Sequence, residues 1–451
     1  MDLDEAKGVE AMYNRKRVLE FFEADEEFLN TTVEENIEKY RKGEVRVQVC
    51  DENGKTLKNT PVKVRQISHE FRFGANIFML DELESEEKNE LYKARFKELF
   101  NMATLPFYWQ SVEPEKGKLR YEIGSEPYYR RPAIDLCMRF CAENGIEPRE
   151  HALAYEAQFP DWLRGYSVDE VKRELERRYG EISSRYADKI PTIEVTNEMF
   201  WWDGKTTFYD EDDYIEWCFK LARKYFPKNR LVVNEATEES WCDVRRATNK
   251  YYSYIQKAMM QGAQIDAIGM QFHAFYTRER ELERASSLYN PKNLYKYLDF
   301  YSRLIDALQI TEITIPAYSN SELDEEIQAK ILEGLYKVWF SHPAVEQIIY
   351  WNLVDGYAYV PNPTPEKIRA TQGNMSVGEN VYYGGLLRFD MSPKPAFLKL
   401  KELITQRWNT SLDLTTDSDG YISFRGFFGE YEIEAQSEGR VVKTHLSLKS
   451  K

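Results

Sequence analysis

Pro191-Thr192-Ile193-Glu194-Val195-Thr196-Asn197-Glu198 follows a helical pattern and carries β-branched residues at Thr192, Ile193, Val195 and Thr196. Short β-branched runs of this kind form buried strands. The run stops on an amide followed by a carboxylic acid, where a strand would spill into a loop. Barrels of parallel strands carry their working residues at such C-terminal strand ends. Gln309-Ile310-Thr311-Glu312 repeats the arrangement, a short β run halting on a carboxylate. With 76 Asp and Glu residues in the chain, neither acid is telling alone; the company each keeps decides.

Outward from these two runs, strands and helices alternate with the cadence of βα units. Candidate strands are Phe71–Ile77, Met102–Phe107, Pro148–Leu153, Thr192–Thr196, Arg230–Asn234, Ala267–Gln271, Gln309–Ile313 and Gln347–Trp351. Eight strands with intervening helices predict a (β/α)8 barrel, an α/β fold of the TIM type. A doubly wound open sheet is the alternative, but Phe73-Gly74-Ala75-Asn76 lacks the Gly-rich first turn that such a sheet usually carries. Ser167-Val168-Asp169-Glu170 is a capping box, followed by an apolar stripe of Val171, Leu175, Tyr179, Ile182 and Tyr186.

The two ends of the chain differ from its middle. Residues 1–43 hold two charge-rich amphipathic helical patterns, expected to pack on the outside of something larger. Val45 to Cys50 alternates strictly, Asp51-Glu52-Asn53-Gly54 makes a turn, and Pro61 to Ile67 forms a second strand. Two strands alone are unstable in water and need partners. After Trp408 short strands return: Ser411–Leu414, Tyr421–Phe424, Glu430–Glu434 and Val441–Leu448. Joined, residues 44–68 and 410–451 resemble the transthyretin-like sandwich of carboxypeptidase regulatory domains. The shared features are Val45-x-Val47-x-Val49-x-Asp51-x-x-Gly54 and Thr416-Asp417-x-Asp419-Gly420. The expectation is a small β-sandwich split by a barrel spanning residues 69–409; two independent β appendages are the alternative. Phe427 and Phe428, beside glycines, are expected to cover the end of the sandwich.

Composition excludes some functions. Apolar content of 42% and aromatic content of 14% belong to a globular protein. A net charge of −15 argues against nucleic acid as a partner. No apolar run is long enough to span a membrane, and Met1-Asp2-Leu3-Asp4-Glu5 does not begin like a leader peptide. The expected location is cytoplasmic, or extracellular if a leader has been removed. Cys50, Cys137, Cys141, Cys218 and Cys242 are scattered and odd in number, without matching metal-site spacing, and are expected to be buried free thiols. No metal or other cofactor is expected.

The strand ends collect an uncommon set of polar groups: His151, Asn197, Glu198, Gln271, His273, Glu312 and Trp351. A retaining glycosidase needs one carboxyl to give and later remove a proton, and a second to attack the anomeric carbon. The attacker must be ionised, so donors beside it help; the proton donor must hold its proton near neutral pH. An amide next to the acid suits a sugar hydroxyl, and a Trp ring gives the sugar a floor. Asn234-Glu235 is a rival amide–acid pair, ranked below Glu198 because the fourth and seventh strands lie opposite enough to straddle a bond. Trp201 and Trp202 either line the cleft or pack beneath it; His69, His342 and His445 lie away from strand ends.

Over roughly residues 70–408 the chain resembles glycoside hydrolase family 10, the β-1,4-xylanases. Val195-Thr196-Asn197-Glu198 is similar to the family's V-N-E with one insertion, and Ile268-Gly269-Met270-Gln271-Phe272-His273 matches I-G-x-Q-x-H. Ile310-Thr311-Glu312 matches I-T-E, and Trp351 with Asp355 resembles W-x-x-x-D. Leu387-Arg388-Phe389-Asp390, followed by Pro393-Lys394-Pro395-Ala396, completes the series. The resemblance implies Glu198 as acid/base and Glu312 as nucleophile, roughly 5–5.5 Å apart, with Asn197, Gln271 and His273 as their neighbours. The implied partner is an oligo- or polysaccharide; a carbohydrate-binding barrel without turnover is the alternative. Two departures matter. The family's E-N-x-M-K is replaced by Thr104-Leu105-Pro106-Phe107-Tyr108-Trp109, and its G-H-x-L-x-W-H by Glu150-His151-Ala152-Leu153-Ala154-Tyr155-Glu156. Phe107, Tyr108, Trp109, Tyr155 and Glu156 are therefore expected to rebuild and shorten the non-reducing side of the cleft, with Trp109, Tyr155 and Glu156 touching substrate.

Overall fold

A computed structural model describes residues 15–201, 204–242, 249–360, 372–437 and 440–450. Trp202 and the first fourteen residues of the N-terminal helical segment lie outside the described residues. Fourteen strands are numbered in chain order: β1 Lys42–Gln48, β2 Pro61–His69, β3 Arg72–Asn76, β4 Met102–Pro106, β5 Glu147–His151, β6 Thr192–Asn197, β7 Arg230–Glu235, β8 Ala267–His273, β9 Leu308–Thr314, β10 Val345–Tyr350, β11 Ser411–Thr415, β12 Tyr421–Phe427, β13 Gly429–Ser437 and β14 Arg440–Leu448.

β3 to β10 close in order into an eight-stranded barrel, every adjacent pair parallel. All six residues of β6 and all seven of β9 are buried, as strands covered on both faces must be. The helix Val168–Tyr186 starts where the Glu170 carboxylate takes the Ser167 N–H at 2.8 Å, and its buried stripe includes Val171, Leu175, Tyr179, Ile182 and Tyr186. The barrel lumen is partly polar: Arg149 donates to Glu194 at 2.6 Å, and both are buried.

The two ends of the chain meet. β1 pairs antiparallel with β12, while β2 lies between β11 and β13, with Val64 opposite both Leu412 and Ile433. Val45 and Val49 from the first part, Val62 and Val64 from the second, and Ile422, Phe424, Tyr431 and Ile433 from the C-terminal part form one apolar core between the sheets. The strict alternation of β2 explains it, since Val62 and Val64 face inward while Pro61 and Lys63 face out. Phe427 packs on Phe340 and His69, so this ring joins the small sheets to the barrel. Ahead of β1, the helical segment from Lys16 to Arg41 lies on the helix Glu322–Ser341. There the Phe22 ring occupies the space a side chain at Gly334 would need, its nearest carbon 2.4 Å from where a Cβ would stand. Arg15, buried, anchors the segment on Glu281 at 3.0 Å and Asp324 at 3.1 Å.

Cys137, Cys141 and Cys218 are buried free thiols as expected, whereas Cys50 and Cys242 are partly exposed. Asp355 and Lys394, which the motif comparison singled out, are tied to each other: both are buried and ion-paired, Asp355 also taking the Gly385 N–H at 2.7 Å and Lys394 donating to the Tyr383 carbonyl at 2.8 Å. They brace the loop after β10. Lys394→Met, which keeps the stem and leaves Asp355 buried without its cation, is expected to cost about 3 kcal/mol. Urea denaturation checks this; a loss below about 1 kcal/mol would mean the pair is not what holds the loop.

Candidate active site

β6 delivers the central pair. Asn197 is its last residue, and Glu198 follows with φ +49, in the left-handed region that non-glycine residues seldom occupy. Four hydrogen bonds hold this turn. Glu198 N–H donates to the Asn234 carbonyl (3.3 Å), Tyr209 hydroxyl to the Glu198 carbonyl (2.8 Å), and Trp201 N–H to the same carbonyl (3.2 Å). Glu235 accepts the Met199 N–H at 2.7 Å. The rival acid is thus spent on backbone: it is buried, also takes the Ala236 N–H at 2.8 Å, and burial pushes its pKa well up.

Glu312 stands in β9, two residues before the strand's end, and is buried. Its Oε1 accepts from Asn234 Nδ2 at 2.9 Å and Gln271 Nε2 at 3.0 Å; its Oε2 faces His273 Nε2 at 3.4 Å. Gln271 Nε2 also donates to Glu198 Oε1 at 3.0 Å. Two oxygens each 3.0 Å from one nitrogen are at most about 6 Å apart, below the ~6.5–9.5 Å that admits a water between two carboxyls. Glu198 Oε2 receives the Tyr155 hydroxyl at 2.6 Å. Both carboxylates line the cleft, Glu198 half-buried and Glu312 buried.

Beneath the pair runs a buried charge relay. His151 bonds Glu194 Oε1 through Nδ1 at 2.8 Å and the Tyr108 hydroxyl through Nε2 at 2.9 Å. Burial pulls the imidazole pKa down, but the Glu194 and Glu312 carboxylates outweigh it and raise it overall. Burial works against the Glu194 charge too, yet His151 and Arg149 hold its pKa below the ordinary value. Burial pushes Glu312 up to about 8, with Glu194 and Glu198 adding to the rise and His151 opposing it. Burial takes His273 down to about 4, so it is neutral at pH 7, its Nδ1 bonded to Thr314 at 2.9 Å. The Trp351 ring lies edge-on to Phe78, His151 and His273, forming part of the cleft floor.

Of the ten residues expected in the site, eight converge: Glu198, Glu312, Asn197, His151, Tyr155, Gln271, His273 and Trp351. Two do not. Trp109 turns away from the cleft into the core, donating to Glu113 at 2.9 Å and packing on Phe159 and Trp162. Glu156 is buried beside the cleft, where its Oε1 accepts the N–H groups of Lys205 (2.8 Å) and Thr206 (3.1 Å) and fixes that loop. Phe107 is likewise buried against Tyr186. Of the five residues expected to crowd the non-reducing side, only Tyr108 and Tyr155 line the open cleft of about 1010 Å³. Trp201 is exposed and does not line it.

Other members were not anticipated as such. The two N–H bonds of Asn234 Nδ2 are shared among Glu312, Asn197 and Glu194, all within 3.2 Å, and its oxygen accepts from Thr311 at 2.7 Å. Glu194 had a signal, a carboxylate in the middle of an otherwise uncharged strand, which must be paired if buried. Arg130 and Arg131, also in the cleft wall, sit in a loop without periodicity.

The sequence signature described as Glycosyl hydrolase family 10 matches residues 65–382. The chain belongs to glycosyl hydrolase family 10. Among relatives within the reach of family 10 similarity, endo-1,4-beta-xylanase 1 of Arabidopsis thaliana is 26% identical over 418 residues, covering 90% of this chain and 38% of its own. Anti-sigma-I factor RsgI6 of Acetivibrio thermocellus is 24% identical over 414 residues, 90% of this chain and 46% of its own. The chain thus spans less than half the length of these relatives. The crystal structure of native xylanase 10B from Thermotoga maritima superposes with a TM-score of 0.56 at 22% identity, covering 75% of this chain and 96% of that one, so the family 10 barrel is shared.

Proposed function

We propose that this chain is a retaining glycoside hydrolase that cleaves β-glycosidic bonds of xylan or a related β-linked glycan, with Glu312 as nucleophile and Glu198 as acid/base. The observation that carries the reading is the single Gln271 amide nitrogen donating to both carboxylates. It supports the short spacing of about 5–5.5 Å that double displacement uses. Glu312 suits attack because it is held rigidly by donors that cannot accept its proton. Glu198 suits proton transfer because it lines the cleft and is the more exposed of the two acids. Asn197 Nδ2, buried and without a partner among the described residues, is the donor left for a sugar hydroxyl. Tyr155 and Tyr108 narrow the side where the family carries Trp and Lys, which favours a short, decorated or different β-linked glycan over plain xylan.

A hydrolysis screen across aryl β-glycosides, plain xylan and decorated xylans tests this. Release of product with retained anomeric configuration is expected, slower on plain xylan than on the preferred glycan. Tight binding with no release from any of them would favour a non-catalytic binding barrel instead. The pH profile adds a check. Because Glu312 must be ionised to attack and burial lifts it to about 8, the acidic limb of kcat/KM should lie well above the usual carboxylate value of about 4.3. His151 lowers that pKa, so His151→Asn should move the limb further up; a limb that falls or stays would detach His151 from this role.

A further inference from the structure

The cleft wall holds a positive charge that the proposed chemistry does not use. Four cationic side chains line the cleft: Arg130, Arg131, Arg164 and Lys205. Arg164 pairs with Asp161 at 3.2 Å, and Lys205 Nζ is tied to the Ala157 and Phe159 carbonyls. Arg130 and Arg131 differ. Both are buried, and neither guanidinium comes within 4.0 Å of a carboxylate among the described residues, although the Arg130 backbone N–H donates to the Glu82 carboxylate. Arg130 gives Nη2 to Asn352 Oδ1 at 2.7 Å, while its Nε is buried with no partner among the described residues. Arg131 gives Nη1 to the Arg130 carbonyl at 2.8 Å and holds its guanidinium carbon over Tyr108, 4.1 Å from the ring centroid.

Behind them Arg120 adds a third guanidinium, bonded among the described residues to the carbonyls of Ser111, Glu126 and Arg131. Two acids lie nearby. Glu379 is engaged through Asn352 Nδ2 at 3.2 Å, and burial pushes Glu82 up to about 8 despite the three arginines. Arg131 itself is brought down to about 10 by burial. A chain with net charge −15 has therefore gathered unpaired guanidinium groups in one buried spot. Buried charge without a partner is costly, and a guanidinium fork matches a planar carboxylate or a sulfate.

The location says what would bring the anion. Arg131 stacks on Tyr108, Tyr108 bonds His151, and Tyr108 lies 5.9 Å from Tyr155, which bonds Glu198. These two tyrosines occupy the strand ends whose family motifs are replaced, on the non-reducing side. We propose that Arg131, assisted by Arg130, binds an anionic substituent of the glycan, a uronate carboxylate or a sulfate ester, on the non-reducing side of the cleavage point. This rests on the glycan-cleaving reading above and names the substrate class within it.

The test uses the whole chain and four probes: xylotriose, xylotriose carrying one glucuronic acid, its carboxyl-reduced neutral counterpart, and O-sulfated xylotriose. Binding is measured by calorimetry on Glu312→Gln, and kcat/KM on the unaltered chain. The acidic probes should bind about 10- to 100-fold tighter than their neutral counterparts, the range of a charge-assisted hydrogen bond. The preference should weaken with added salt and should vanish in Arg131→Gln, while Arg131→Lys retains part of it. The uronate and sulfate arms identify which anion is read. Equal affinity for acidic and neutral probes overturns the proposal without needing any variant, and so does an Arg131→Gln chain, folded by circular dichroism, that keeps the preference. Selective acidic binding without hydrolysis would support this site while sinking the catalytic reading; hydrolysis of neutral and acidic probes at equal kcat/KM would do the reverse.

Discussion

Glu312→Ala should abolish hydrolysis of every substrate, by about 10⁵-fold or to the detection limit, because no other group in the cleft is placed to form the glycosyl-enzyme. Glu198→Ala should behave differently. Substrates whose leaving group departs without a proton should still form the glycosyl-enzyme, which then accumulates for want of a base. Substrates with poor leaving groups should lose about 10²- to 10⁴-fold. Azide, needing no deprotonation, should restore turnover of Glu198→Ala and yield a glycosyl azide of retained configuration. Glu235→Ala is the discriminating control. Its carboxylate takes the Met199 and Ala236 N–H groups, so its loss should loosen the turn at Glu198 and lower activity without azide rescue. If azide instead rescues Glu235→Ala and not Glu198→Ala, the two acids have been assigned the wrong way round.

The barrel was legible because its strands are short, β-branched and bounded by helices with clear caps; Thr192–Asn197 and Leu308–Thr314 lie within a residue or two of where their sequences put them. Strand ends were legible for the same reason, since the side chains of Asn197, Gln271 and Glu312 follow from alternation within a strand. Just past the strand, that rule lapses. Trp109 opens a short helix and Glu156 opens a 3-10 turn, so both rotate away from the cleft although they follow strand ends in sequence. Nothing in residue type announces the left-handed backbone at Glu198, which depends on Glu235, Tyr209 and Asn234 closing around it. Arg130 and Arg131 escaped notice because the loop between Val112 and Ile134 has no period to read, and their meaning lies in guanidinium groups that form no ion pair among the described residues. The pairing of β1 with β12 and of β2 with β11 and β13 spans more than 340 residues of intervening chain. It was visible only because each half shows an alternating face too small to bury itself.

Gly269→Ala should cost about 10³-fold in kcat although Gly269 touches neither carboxylate. A Cβ at this position would stand 2.4 Å from Asn234 Oδ1, well inside contact distance. The Asn234 amide has little room to yield. Its oxygen accepts from Thr311 at 2.7 Å, and its nitrogen is shared by Glu312, Asn197 and Glu194. Pushing it aside removes one of the two amide donors on Glu312 Oε1 and unseats Asn197 at the same stroke. Losing a single preorganised donor to a reacting oxygen typically costs about 10²- to 10³-fold, and two groups move here. Asn234→Ala should reproduce the loss. In that background the added methyl of Gly269→Ala no longer meets the amide and keeps only a 3.1 Å approach to the Cβ at position 234, so the double variant should be little slower than Asn234→Ala alone. That non-additivity separates the argument from general damage to the strand. Were the two losses instead to multiply, with both variants folded, Gly269 would be acting through the barrel and not through the amide that holds the proposed nucleophile.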